Sequence, residues 1–338
     1  MNTTLTRRRF IGITAAAASV AAVPLVARSV KSPGSAAVAG IEPVVWRGIA
    51  LGADAELRLY HPNRSAAEGL IQKAVAETAR LEKIFSLYRD DSQLSRLNRT
   101  GRLNRPSADL LAVLSQSRDI HALTQGAFDP SIQPLWAAYA KHFTRHPGSE
   151  TAPDAAVLQQ ALGLVDFNAV HFDNQAVAFA KPGMALSFNG IAQGYITDRI
   201  TEMLHEAGLA QALVDMGEIR ALDSLHQADW QAGIRNPDNE KAVLFNVPLD
   251  NRALATSGGY GTVMDEAGKF THLFDPQSGN SSPRYRSVSV MADNAATADA
   301  LSTAFSVSRV ENIRAAAAKV AGLKAWLVMP EGTVETIA

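Results

Sequence analysis

The chain has 338 residues, 47% of them hydrophobic and 19% charged, enough to bury a core for one large domain or two small ones. Its 32 basic and 33 acidic side chains leave a formal net charge of -1, so no basic field exists to gather nucleic acid. Cysteine is absent, which excludes disulfides, thiolate metal sites and a cysteine nucleophile.

In chain order, Thr6-Arg7-Arg8-Arg9-Phe10-Ile11 precedes an Ala-rich apolar run that Arg28 interrupts. A basic segment followed by a weakly hydrophobic one fits an export signal, and consecutive arginines before Phe-Ile fit the twin-arginine type. The run contains Pro24 and falls short of the about 20 residues a membrane span needs, so export is expected over a permanent anchor. Residues 1–39 are therefore read as signal peptide and linker, and 40–338 as one domain delivered to the periplasm.

Val44 to Tyr60 reads as strand, turn, strand, with alternation in Ala55-Glu56-Leu57-Arg58-Leu59-Tyr60. Leu70, Ile71, Ala74, Val75, Thr78, Leu81 and Phe85 recur at helical spacing and predict an amphipathic helix over 65–88. Pro106-Ser107 opens another helix to about Thr124, with Ser107 as N-cap, and 153–162 predicts a shorter one. Short strands are expected at 170–172, 176–179 and 185–188, then a helix over 191–207 stopped by Gly208. Further strands are expected at 212–216, 231–234, 243–247, 253–256 and 324–329, with helices at 295–307 and 314–320. No repeat is present, and the mixed order predicts an α+β fold with mixed or antiparallel sheets and packed helices.

Three stretches carry possible chemistry. In Asp299-Ala300-Leu301-Ser302-Thr303 the i, i+4 spacing sets a carboxylate and a hydroxyl on one helical face, where they could hold a hard cation; the plainer reading is a surface aspartate beside a threonine bonded to its own helix. Ser187-Phe188-Asn189-Gly190-Ile191-Ala192-Gln193-Gly194 runs from a strand end through small residues into a helix N-terminus, a weak anion-site pattern that is not a P-loop. In Thr271-His272-Leu273-Phe274-Asp275-Pro276-Gln277-Ser278-Gly279 a histidine and an aspartate sit on sound turn chemistry, as Gly126-Ala127-Phe128-Asp129-Pro130-Ser131 also does.

Their order along the chain is what carries weight. Leu51-Gly52, Phe85-Ser86-Leu87-Tyr88-Arg89, Gly126-Ala127-Phe128-Asp129-Pro130, Asn189-Gly190-Ile191-Ala192-Gln193-Gly194-Tyr195, Met216-Gly217-Glu218, Thr256-Ser257-Gly258, His272-x-x-Asp275-Pro276-x-x-Gly279 and Asp299-x-x-x-Thr303 together resemble the ApbE family of flavin transferases over about residues 45–335. The twin-arginine segment and the single glycine before Glu218 resemble its NosX branch, which serves nitrous oxide reductase maturation. The resemblance implies an ApbE-like architecture and a protein that binds FAD and, with Mg²⁺, moves the FMN half onto a Thr or Ser hydroxyl of a target, releasing AMP. For the NosX branch the target would be a NosR-like flavin domain of a membrane protein. It implies Gly190, Asp299 and Thr303 as metal ligands, with Ser302 as a further one, and His272 as catalytic base. Leu51, Tyr88, Phe128, Asp129, Pro130, Ser131, Ser187, Gln193, Glu218 and Leu273 are its implied flavin and adenosine contacts, while Asp275 and Gly279 shape the histidine loop.

The chain departs from the family pattern in three places. Leu51-Gly52-Ala53 stands where Met-Gly-Thr is usual, Ser187 where an aspartate is common, and Gln193 where a lysine or glutamate is common. The two neutral side chains leave open a flavin carrier that transfers nothing. The sequence also admits an FAD pyrophosphatase using water as nucleophile, and a periplasmic solute-binding protein.

Overall fold

The computed structural model describes residues 41–226, 228–281 and 283–338, so the expected export signal lies outside the described residues. The chain enters as the hairpin β1 (Val44–Ala50) and β2 (Ala53–Tyr60), followed by α1 (Arg64–Phe85), whose first turn is capped by the Asn63 side chain. Next come α2 (Gln93–Thr100), β3 (Arg102–Asn104), α3 (Ala108–Leu123), α4 (Gln133–Arg145) and α5 (Ala155–Leu162). The strands β4 (Val170–Phe172) and β5 (Ala176–Phe179) join β3 in a small antiparallel sheet of order β3-β5-β4.

The second half supplies α6 (Ala192–Glu206), β6 (Gln211–Asp215), β7 (Ile219–Asp223), β8 (Gln231–Asn236), β9 (Asn239–Pro248), β10 (Ala253–Ser257), β11 (Ser287–Ala292), α7 (Ala295–Val307), α8 (Val310–Ala317), β12 (Lys324–Val328) and β13 (Val334–Ile337). Eight strands form one sheet in the order β1-β2-β6-β7-β10-β11-β12-β13, with every neighbouring pair antiparallel. The fold is thus α+β with antiparallel sheets and packed helices, as the order of elements predicts.

Alternation along the strands decides what covers each face. Ala212 and Val214 of β6, with Val288 and Val290 of β11, point into the main core under α1, α6 and α7. Leu213 and Met291 point the other way, into a second cluster with Trp230, Ala232, Ile234 and Val247 of the β8–β9 hairpin. Both faces of the central strands are therefore covered, which is why every residue of β6 and β11 is buried. A third cluster packs Leu135, Tyr139 and Phe143 of α4 against Phe270 and Phe274 of the histidine loop.

The weakest junction in the sheet is its middle. β7 and β10 pair only at Arg220–Ala253 and Ile219–Leu254 before parting. Between them the chain leaves to build the β8–β9 hairpin.

Three expectations need correction. The 185–188 segment is not a strand, because its backbone bonds go to other partners. The Asn98 side chain takes the Leu186 N–H and gives to its carbonyl, both at 2.8 Å, and the Ser187 N–H donates to the Pro130 carbonyl at 2.8 Å. The helix expected at 314–320 spans Val310–Ala317 instead, starting directly after Ser308 ends α7. Helix α4 is absent from the elements expected above, although Leu135, Tyr139 and Phe143 form its buried stripe at i, i+4, i+8.

Candidate active site

Helix α7 is fixed at its N-terminus by two side chains. Asn294 accepts from the Thr297 N–H at 2.8 Å, and Asp198 of α6 accepts from the Ala295 and Ala296 N–H groups at 2.8 and 2.9 Å. Arg220 of β7 reaches the same Asp198 carboxylate at 2.6 Å. Burial raises the Asp198 carboxyl, opposed by Arg220 and the two N–H groups.

Helix α6 crosses α7 at Gly194. A Cβ there would stand 2.3 Å from the Ala295 carbonyl oxygen and 2.7 Å from the Ala296 Cα, so only glycine allows this approach. The crossing sets the Gly194 N–H 3.1 Å from Asp299 Oδ2. A continuous helix would give that N–H to the carbonyl of Gly190, and no described N–H takes that carbonyl instead. Gly190 itself lies against Thr303, whose Oγ1 would be 2.8 Å from a Cβ at 190. The turn that leads into α6 and the middle of α7 thereby bring a free backbone carbonyl, a buried carboxylate and a hydroxyl to one place.

The Asp299 carboxylate accepts no hydrogen bond among the described residues other than that from Gly194. Burial pushes its carboxyl up to about 7, opposed by the Gly194 N–H and aided by the Asp198 charge. A divalent cation would satisfy both this carboxylate and the Gly190 carbonyl, and the all-oxygen donor set suits a hard ion such as Mg²⁺. No group of three His, Cys, Asp or Glu side chains that could hold a metal exists among the described residues. A cation here would thus depend on one carboxylate and take its remaining oxygens from water or phosphate.

Beside this corner lies a cavity of about 360 Å³. Eleven of the residues expected at the site line it: Phe128, Asp129, Pro130, Ser187, Gly190, Gln193, Glu218, His272, Leu273, Asp299 and Thr303. Four do not. Leu51 turns the β1–β2 connection at φ 47° and gives its N–H to Glu82 at 2.8 Å. Tyr88 is 58% exposed and outside the lining. Ser131 is fully buried behind Asp129, giving its N–H to Oδ1 at 2.8 Å and receiving the Asp166 N–H at 2.7 Å. Ser302 stands behind Thr303, with its hydroxyl donating to the Asp299 carbonyl at 2.9 Å and 2.7 Å from the Ser257 hydroxyl.

His272 is held by a single carbonyl, that of Thr262, 3.1 Å from both its backbone N and its Nδ1. A carbonyl can only accept, so Nδ1 carries the proton and Nε2 keeps its lone pair. Burial lowers the imidazole pKa, opposed by the Thr262 hydrogen bond, and the net lowering keeps the ring neutral near neutral pH. Asp275 does not address the ring. Its Oδ1 accepts from the Gln277 N–H at 2.9 Å and its Oδ2 from the Ser278 hydroxyl at 2.8 Å, while Gly279 continues the turn at φ 74°. The Tyr139 hydroxyl ties that turn to α4 through the Gly279 carbonyl at 3.1 Å.

Sequence reasoning missed the wall of the cavity made by the hairpin, where Gly233, Arg235 and Val243 line it. The alternation of Gln231–Asn236 was the available signal, since Ala232 and Ile234 are its buried positions.

Comparison with known proteins bears on the family and the fold. The model of the ApbE family matches residues 51–327. The chain is 30% identical over 230 residues to an FAD:protein FMN transferase of Haemophilus influenzae, covering 65% of this chain and 66% of that protein. It is 29% identical over 318 residues to one of Treponema pallidum, covering 86% and 85%. The apo flavinyl transferase ApbE of Pseudomonas stutzeri superposes with a TM-score of 0.75 at 25% identity, over 88% of this chain and 95% of that one. The ApbE protein of Thermotoga maritima, at 24% identity, shares the fold with a TM-score of 0.76, over 88% and 97%. The match of the family model across nearly the whole described chain and the shared architecture lead to one assignment: this chain belongs to the ApbE family.

Proposed function

We propose that the chain is an exported, Mg²⁺-dependent FAD:protein FMN transferase that esterifies FMN to a Thr or Ser hydroxyl of a periplasmic flavoprotein domain. The observation that carries this reading is the convergence of Gly190, Asp299 and Thr303 on one wall of a cavity whose lining also includes His272. The relatives' activity supports it. The twin-arginine segment and the Gly217-Glu218 step favour the NosX branch, with a NosR-like membrane protein as acceptor.

The chemistry asks a weak alcohol nucleophile to attack a phosphorus shielded by negative oxygens, so positioning and charge compensation dominate. Nε2 of His272 is the free lone pair in the cavity and takes the hydroxyl proton of the acceptor. The acceptor oxygen then bonds the flavin-side phosphorus, the anhydride P–O bond breaks, and AMP leaves with the bond electrons. Asp299, Thr303 and the Gly190 carbonyl would hold the cation, with the Ser302–Ser257 hydroxyl pair fixing Thr303 from behind. When bound, the cation neutralises charge on the diphosphate and on the departing AMP. Phe128, Leu273 and Pro130 supply apolar surface for the rings.

Incubating the purified protein with FAD, Mg²⁺ and an acceptor domain should add the mass of FMN less water to the acceptor. His272→Ala and Asp299→Ala should abolish the adduct; an unchanged adduct in both would overturn the site assignment. The neutral Ser187 and Gln193 in the cavity favour a second reading, a flavin carrier, which predicts bound FAD with neither adduct nor AMP.

A further inference from the structure

Among the described residues, the cavity lining carries three carboxylic residues, Asp129, Glu218 and Asp299, and one Lys or Arg, Arg235. Arg235 reaches it from the β8–β9 hairpin by strand alternation. Ala232 and Ile234 sit in the apolar cluster with Trp230 and Val247, so Gly233 and Arg235 face the opposite side, towards the cavity. The pairing with β9 slips on both sides of Arg235, opposite Val243, which also lines the cavity. Such breaks in a ladder recur beside binding sites because they re-aim side chains.

No described residue accepts a hydrogen bond or ion pair from the Arg235 guanidinium, although the residue is only half-exposed. The other arginines near the sheet junction are committed, Arg220 to Asp198 and Arg252 to Asp293. A guanidinium is always charged and presents a planar fork of donors that suits two phosphate oxygens at once. A fork unpaired among the described residues, in a cavity otherwise rich in carboxyl groups, calls for an anionic ligand with paired oxygens.

The geometry points to Arg235 as the residue that binds the diphosphate of a dinucleotide in this cavity. It deepens the flavin-transfer reading and rests on it for the identity of the dinucleotide. Gly233 belongs to the same device. A Cβ there would stand 3.0 Å from both Val243 methyls, so the glycine keeps the two strands of the hairpin close at the cavity wall.

The test is calorimetric titration of the purified full chain and its Arg235→Gln and Arg235→Lys variants with FAD, ADP and riboflavin, at fixed Mg²⁺ and two salt concentrations. Losing charge-assisted bonds to phosphate should weaken FAD and ADP about 10- to 100-fold in Arg235→Gln and leave riboflavin within about twofold. Arg235→Lys, which keeps the charge but not the fork, should recover part of the affinity and its salt dependence. Unchanged FAD and ADP affinity in Arg235→Gln would overturn the proposal and leave flavin transfer standing. Equal weakening of FAD and riboflavin would also overturn it, since that is the mark of a disturbed hairpin. A wild type that takes ADP through Arg235 but neither flavin would uphold it and sink the flavin reading, while binding of neither nucleotide would sink both.

Discussion

Replacing Gly194 with alanine tests the helix crossing on which the metal corner depends. The added methyl would stand 2.3 Å from the Ala295 carbonyl oxygen and 2.5 Å from its carbon, and both are backbone atoms that no side-chain rotation can move away. Helices α6 and α7 must separate by roughly an ångström, an overpacking strain of about 1–3 kcal/mol. The same movement pulls the Gly194 N–H from Asp299, a bond to an ionisable partner worth about 1.5–3 kcal/mol when the carboxylate is charged. The expected loss is therefore about 2.5–6 kcal/mol, a large share of a typical folding free energy of about 5–15 kcal/mol. Gly69 in α1 is the internal control. It is helical too, but a methyl there meets nothing within 4 Å, so alanine should stabilise by about 0.5–1 kcal/mol through helix propensity. Urea midpoints of the two variants against wild type should move in opposite directions. A Gly194→Ala midpoint at or above wild type would refute the claim that this contact sets the crossing.

Other outcomes follow from single contacts. Because burial lowers the His272 pKa, the acid limb of the kcat/KM profile should lie below pH 6.5; a midpoint above 6.5 would exclude it as a neutral base. The stability sign is also fixed: between the lowered native pKa and about 6.5 the unfolded chain binds the extra proton, so this group makes stability fall as pH drops through that window and changes nothing above it. Asn98→Leu removes both side-chain bonds to Leu186, and should cost about 1–3 kcal/mol by urea denaturation while loosening the 185–188 segment to hydrogen exchange. Ser107→Ala removes the cap on the Leu110 N–H and should cost about 1 kcal/mol by the same measurement, with FAD affinity unchanged.

Local signals serve best where one element decides its own structure. The stripe of α1, the Ser107 cap and the i, i+4 pair on α7 are readable because helical period and capping chemistry act over a few residues. The 185–188 segment misleads because its alternation suits a strand, yet its backbone partner is a side chain 88 positions away. Tyr88 and Leu51 follow motif order but end outside the cavity, since order along a chain does not determine which way a turn presents its side chains. Arg235 cannot be singled out from charge alone. Its meaning depends on the hairpin folding back over the sheet, and on no carboxylate among the described residues being placed to meet it.

The brief meeting of β7 and β10 has a consequence for how this protein could diversify. The chain departs at Asp223 and rejoins at Ala253, so the lining at Gly233, Arg235 and Val243 belongs to one excursion. The Gly194 crossing is stitched from segments 105 positions apart and tolerates no extra methyl. Exchange of the excursion alone would redesign the grip on a ligand's phosphates and leave the Gly190–Asp299–Thr303 corner and His272 in place.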